Sequence, residues 1–126
     1  MKVNILSIVL QSLLVLIFLM AGFGKITGSK MHVEGFQKWG LPQWFRVVTG
    51  LVEIVGAAAL IVGYWEPSWT AAGALLLGVT GVGGTLTHLR AKDSMKETFP
   101  IVLIGVLAFV VLIIQRSELM NFPGFN

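Results

Sequence analysis

The stretch RVVTGLVEIVGAAALIVGYW, residues 46–65, is long and apolar enough to cross a lipid bilayer, and its one carboxylate is Glu53. A spanning helix needs about 20 mostly apolar residues, because the hydrocarbon core is about 30 Å thick. A charged group at the bilayer centre costs about 2.5–3.5 kcal/mol on insertion scales, so it faces other helices. The stretch therefore predicts a membrane helix within a bundle, with Glu53 buried beside a partner or water.

Three further apolar stretches without a charged residue lie before and after this one, at residues 3–24, 67–89 and 98–115. We predict an all-α fold, a four-transmembrane-helix bundle forming a single integral membrane domain over residues 1–126, with spans at about 3–24, 46–64, 68–89 and 98–116. A cleaved signal peptide is the alternative for the first span. That span exceeds the typical apolar length of about 7–15 residues, and no A-x-A pattern follows it.

The composition agrees with a domain that lies in lipid. Of 126 residues, 56% are hydrophobic and 12% are charged, about half the charged fraction of a soluble domain. This composition excludes a disordered chain and an ordinary cytosolic enzyme. Nucleic-acid binding is excluded as well, because nine Lys and Arg are too few to follow a phosphate backbone. The absence of cysteine excludes disulfides, thiolate nucleophiles and Cys-ligated metals within the chain, and no metal site is expected.

The connection between the first two spans predicts a short interfacial helix. Phe36 and Trp39 fall on one side at helical spacing, whereas Glu34 and Lys38 fall on another. Such a segment lies in the membrane interface, with Trp39 in the aromatic belt, and the Gly-Leu-Pro at residues 40–42 ends it.

Loop charges predict the orientation in the cell membrane. Four spans place both termini on one side, which carries Lys2 and Arg116. The other side carries seven basic residues: Lys25, Lys30, Lys38, Arg46, Arg90, Lys92 and Lys96. The excess favours cytoplasmic charged loops and termini outside.

Four polar residues reach the charged-loop side of the predicted bundle, namely Lys25, Arg46, Glu53 and His88. They predict one buried polar cluster that opens toward that side and could hold a ligand head group or a proton. A structural role is the alternative for each: Glu53 paired with Arg46 or Lys25 to set helix register, His88 bonded to a carbonyl, and the cations as snorkelling anchors.

The third span carries a stripe of small residues that includes Gly81 and Gly84. Such residues allow a neighbouring helix to approach closely, which predicts helix packing. No catalytic constellation is recognisable: Gly-Phe-Gly-Lys at residues 22–25 lacks the P-loop pattern, and no Ser-His-acid set converges. Catalytic residues therefore stay unassigned, and enzyme activity is expected only if the chain is a subunit of a membrane oxidoreductase.

The order of several motifs resembles the DoxX family, including its DoxX-like branch: AGFGK at residues 21–25, F36…WGLP at 39–42, G50…E53…G56, and a third span that ends in His88. The resemblance implies a small four-helix integral membrane protein. The family takes its name from a subunit of an archaeal thiosulfate:quinone oxidoreductase, and other members are linked to oxidative or thiol stress. Lys25, Glu53 and His88 match recurrent polar positions of the family.

The leading hypothesis is an accessory membrane subunit that binds a quinone-like or lipid-like molecule in the polar pocket and acts in redox or stress physiology with a partner protein. No intrinsic cofactor is expected, and quinone is the candidate ligand. The alternative is a non-enzymatic assembly factor or scaffold that docks through the Gly-rich third span; a small proton-coupled exporter is a weaker one. A homodimer is also expected, because four short helices bury little surface.

Overall fold

The computed structural model describes residues 5–124, which form helices and no strand. The elements are α1 (Ile5–Thr27), α2 (Lys30–Lys38), α3 (Gln43–Val62), α4 (Pro67–Arg90) and α5 (Met95–Ile114), followed by a 3-10 helix (Arg116–Asn121). The predicted four-helix bundle with a short helix between its first two spans is confirmed. Lys2 and the first two residues of the predicted first span lie outside the described residues.

Four of the helices, α1, α3, α4 and α5, are long and apolar enough to cross a membrane. Their outward surface is apolar as well: Ile5 and Met20 are each 76% exposed, and Val79 is 57% exposed. A water-soluble protein rarely leaves so much contiguous apolar surface uncovered, whereas hydrocarbon chains cover it without cost. The protein is therefore a multi-pass membrane protein in contact with the bilayer.

The core lies on the bundle axis, and all four spanning helices contribute to it. Its buried members combine a few large side chains with alanines: Leu14, Val15, Phe18, Ala57, Leu60, Ala74, Leu77, Ala108 and Val111. Small residues bring the helices together, since a Cβ on Gly56 of α3 would lie 2.5 Å from Leu77 Cδ2 of α4. Close backbone approach is the usual way in which membrane helices gain packing contacts.

Several helices are longer than the predicted spans because charged residues at a span's end do not end a helix. α1 continues past residue 24 to Thr27 and ends at Gly28, whose φ of +75° suits glycine. α3 begins directly after Pro42 rather than at residue 46. α5 begins at Met95, where the Ser94 hydroxyl accepts a hydrogen bond from the Glu97 N–H at 3.2 Å.

A buried polar network joins three helices at the end of the bundle opposite the charged loops. Gln11 of α1 is 3% exposed, and its Nε2 donates to Leu60 O of α3 at 2.7 Å and to Thr70 Oγ1 of α4 at 3.1 Å. Both bonds remain within the protein, as hydrocarbon surroundings require. We assign this network a structural role.

Candidate functional site

A cavity of about 390 Å³ lies between the loop-side halves of α3 and α4, beside α2. That volume falls in the range of small-molecule sites, about 300–1,000 Å³. Its apolar wall comprises Phe36, Trp39, Leu41, Phe45, Val48, Val52, Gly83, Gly84 and Ile101, and its polar lining comprises Lys25, Thr49, Glu53, Thr80, Thr87 and His88. The cavity therefore combines a mainly apolar wall with a few polar groups.

An ion pair between α1 and α3 lies on the lining of the cavity. Glu53 Oε1 lies 2.9 Å from Lys25 Nζ of α1, and the two side chains are 5% and 13% exposed. Glycines bring the two helices together here, because a Cβ on Gly50 would lie 2.8 Å from Gly22 O. With no side chain between the backbones, Lys25 and Glu53 reach each other across the helix interface.

The ion pair leaves hydrogen-bonding capacity on the carboxylate. Lys25 Nζ, 2.9 Å from Glu53 Oε1, takes up one acceptor position, whereas a carboxylate has about four lone-pair sites over its two oxygens. Because Glu53 lines the cavity, a hydrogen-bond donor in the cavity can use the remaining capacity of this carboxylate.

A second charged cluster, the Asp93 cluster, ties α2 to the loop between α4 and α5. The Asp93 side chain is 1% exposed, and its Oδ2 accepts from Trp39 Nε1 at 3.0 Å and lies 2.7 Å from His88 Nδ1. Its Oδ1 lies 2.7 Å from Lys38 Nζ. The rings of Trp39 and His88 also meet edge to face, with centroids 5.0 Å apart. These contacts hold α2 beside the cavity.

Sequence reasoning missed Asp93 and treated Trp39 as a belt residue. The available signal was the spacing of Asp93 five residues after His88 in a short loop, which keeps the two side chains within reach. An aromatic N–H beside a carboxylate cannot be paired from sequence when 54 residues separate them, as they do for Trp39 and Asp93. His88 therefore bonds a carboxylate rather than the carbonyl that its structural alternative expected.

The contribution of the Asp93 cluster to stability should depend on pH in the acidic range. Hydrogen bonds from Lys38 and then Trp39 hold the pKa of Asp93 below its ordinary value of 3.8. A carboxylate whose pKa is lower in the folded than in the unfolded state stabilises the fold. This contribution is complete at pH values above the unfolded-state pKa and is lost as the pH falls through the folded-state pKa. We expect Asp93→Asn to lower the Tm at about pH 7, and the difference from wild type to shrink as the pH falls below about 4.

Thermal unfolding of both proteins across this pH range measures the effect. Glu34→Gln is the matched control, because Glu34 is an exposed carboxylate on α2 and its replacement should leave the Tm difference near zero throughout. A Tm difference between Asp93→Asn and wild type that stays constant down to about pH 3 would show that the Asp93 charge contributes nothing.

Three of the four residues in the predicted polar cluster line the cavity: Lys25, Glu53 and His88. Arg46 is not among the lining residues. Its Nη1 donates to Lys25 O at the carboxyl end of α1, and its Nε donates to Gln43 Oε1 at 2.7 Å. An arginine on the last carbonyls of a helix compensates their unpaired acceptors. Arg46 thus fixes the helix end that carries Lys25.

In α4, Gly81 and Gly84 pack against α5, whereas Gly83 faces open space. A Cβ on Gly81 would lie 2.8 Å from Gly105 Cα of α5, and one on Gly84 would lie 2.9 Å from Ile101 Cγ1. A Cβ on Gly83 would meet nothing within 4 Å, although Gly83 lines the cavity. The stripe thus packs α4 against a helix of the same chain. Over residues 5–124 no cluster of three or more His, Asp or Glu residues could hold a metal ion.

Comparison with known proteins gives two matches. The DoxX-like family matches residues 9–111. A Bacillus subtilis (strain 168) protein described as "Uncharacterized protein YdgD" is 31% identical over 118 residues, which cover 92% of this chain and 96% of that protein. No solved structure matches the chain significantly.

Proposed function

The chain belongs to the DoxX-like family, and from this premise we propose that it is an accessory membrane subunit that binds the head group of a lipophilic molecule in the cavity. The ligand is quinone-like or lipid-like: its polar end contacts Lys25 and Glu53, and its apolar body lies along the wall or extends into the bilayer. Redox or stress physiology, exercised with a membrane partner protein, is the setting that the family suggests.

The observation that carries the proposal is the Lys25–Glu53 pair beside a mainly apolar cavity. A pair that served only to fix helix register would be expected between tightly packed helices, where no space of molecular size lies beside it. Replacing a buried ion pair by apolar residues is often neutral or stabilising, so the pair is weak evidence for a purely stabilising role. Its position at a cavity supports ligand binding instead.

The orientation belongs to the same proposal. The cavity lies in the half of the bundle next to the two charged loops, which hold seven basic residues against two near the termini. The charge difference favours cytoplasmic loops. A ligand from the inner leaflet and a partner on the cytoplasmic side would then meet at the cavity.

Filling the cavity tests the proposal. Gly83→Trp adds a large side chain where a Cβ meets nothing within 4 Å, so the variant should fold and should occupy the ligand's space. At a concentration about 100 times Kd, a ligand stabilises its protein by about 2.7 kcal/mol. We expect decylubiquinone or its reduced form, the quinol, to raise the Tm of the detergent-purified wild type, and neither form to raise the Tm of Gly83→Trp.

The matched control is Val79→Trp, one turn earlier on α4. Val79 is 57% exposed and does not line the cavity, so its tryptophan should point toward lipid and leave the quinone response at the wild-type level. A membrane-lipid panel extends the test to the lipid-like class. If neither the quinone, the quinol nor any lipid raises the wild-type Tm, or if Gly83→Trp responds like the wild type, the proposed function is wrong.

A further inference from the structure

The threonines that line the cavity have no hydroxyl proton left for a ligand. Thr49 Oγ1 donates to Phe45 O, Thr80 Oγ1 to Leu76 O, and Thr87 Oγ1 to Gly83 O, each at 2.8 Å. These bonds run back to the preceding turn of the same helix, a common arrangement for threonine in membrane helices. Each hydroxyl can therefore act toward the cavity only as an acceptor, through its lone pairs.

The two polar rings on the cavity lining, those of Trp39 and His88, also use a ring nitrogen in a bond to Asp93. Trp39 Nε1–H donates to Asp93 Oδ2, and this N–H is the only polar hydrogen of the indole. His88 Nδ1 lies 2.7 Å from the same carboxylate oxygen, which can only accept, so Nδ1 carries the proton. In the neutral imidazole Nε2 is then an acceptor. With His88 in this neutral form, neither ring has a hydrogen left to offer to a carbonyl or an ether.

The Lys25–Glu53 pair completes the list of polar side chains on the lining. Glu53 keeps lone pairs beyond the one that meets Lys25 Nζ at 2.9 Å, and the Lys25 ammonium keeps donors beyond the one on Glu53 Oε1. A hydroxyl group matches both, because it can donate to Glu53 and accept from Lys25. A carbonyl or an ether can only accept, and an anion would face the Glu53 carboxylate at close range.

We propose that the head group recognised in this cavity carries a neutral hydroxyl, as phenols, quinols and lipid alcohols do, with the hydroxyl proton on Glu53. The inference rests on the proposed function, which it narrows from lipophilic molecules in general to hydrogen-bond donors. Of a quinone pair, the quinol presents such a proton and the quinone does not. Glu53 and Lys25 together set this preference, and the surplus acceptors of the lining reinforce it.

Matched pairs of ligands test the preference. The probes are 4-nonylphenol against 4-nonylanisole and 1-dodecanol against its methyl ether, because each pair differs in the hydroxyl hydrogen. A hydrogen bond to a charged group is worth about 1.5–3 kcal/mol. We therefore expect the hydroxyl member to bind wild-type protein on the order of tenfold or more tightly in at least one pair. Titration of the Tm gives both affinities, and the two pairs distinguish aromatic from aliphatic head groups.

Glu53→Gln identifies the group responsible, since its neutral amide accepts more weakly and adds donors. The preference for the hydroxyl member should fall several-fold in this variant and persist in Glu66→Gln, which changes an exposed carboxylate outside the cavity. Equal affinity within both pairs for wild type overturns the inference without any variant and leaves the proposed function standing. A preference that Glu53→Gln leaves unchanged also overturns it. Absence of binding by all four probes also overturns the inference, and the quinone, quinol and lipid responses then decide whether the proposed function fails with it.

Discussion

Glu53→Leu is expected to lower the free energy of unfolding by about 3 kcal/mol, the lower end of the range for breaking a buried ion pair. The substitution leaves the Lys25 ammonium, 13% exposed, without its carboxylate inside the bundle. The loss should stay at the lower end of that range because Lys25 lies in the last turn of α1, from which a long side chain can still reach water. Reversible unfolding in mixed detergent micelles measures the change.

The double variant Lys25→Met with Glu53→Leu separates a lost pair from a damaged core. It removes both charges and keeps similar side-chain volumes, so its stability should return to within about 1 kcal/mol of the wild type. Glu34→Leu is the control for the loss of a carboxylate at an exposed position, and its effect should be small. If the double variant is as unstable as Glu53→Leu alone, the two side chains are not coupled.

Gly81→Leu should lower the free energy of unfolding by a similar amount, for a steric reason. A Cβ at this position would lie 2.8 Å from Gly105 Cα, and a backbone atom cannot move aside as a side chain can. Overpacking typically costs 1–3 kcal/mol, and we expect about 3 kcal/mol here because α4 and α5 must separate. The same unfolding measurement applies.

Gly83→Leu provides the control on the same helix with the same chemical change. A Cβ at Gly83 meets nothing within 4 Å, and leucine favours helix over glycine by up to about 1 kcal/mol, so this variant should be as stable as the wild type or more so. Equal destabilisation by the two substitutions would mean that α5 does not pack on Gly81 as described.

The four spans could be predicted because lipid imposes a length and a polarity that a single sequence displays directly. The interfacial helix could be predicted for the same reason: Phe36 and Trp39 alternate with charged residues at helical spacing. The clustering of Lys25, Glu53 and His88 near one cavity followed from topology, since an antiparallel four-span chain brings alternate helix ends to the same side. Helix ends were less predictable, because charged side chains near a membrane surface continue a helix.

The partners of these residues could not be predicted. Seven residues separate Arg46 from Glu53, which places both near one face of α3, yet Glu53 pairs with Lys25 because Gly22 and Gly50 let α1 approach. Arg46 instead holds the end of α1. Asp93 received no role because its contacts come from two helices, α2 and α4, and only the packing of α2 against the α4–α5 loop brings them together.

An experimental density map of the protein in lipid nanodiscs, read at Glu53, tests the central claim most directly. We expect the Glu53 carboxylate to face the space between α3 and α4 and to lie within ion-pair distance of the Lys25 ammonium. A map that places the Glu53 side chain against acyl chains, or separates it from Lys25 with no space between α3 and α4, would contradict the account.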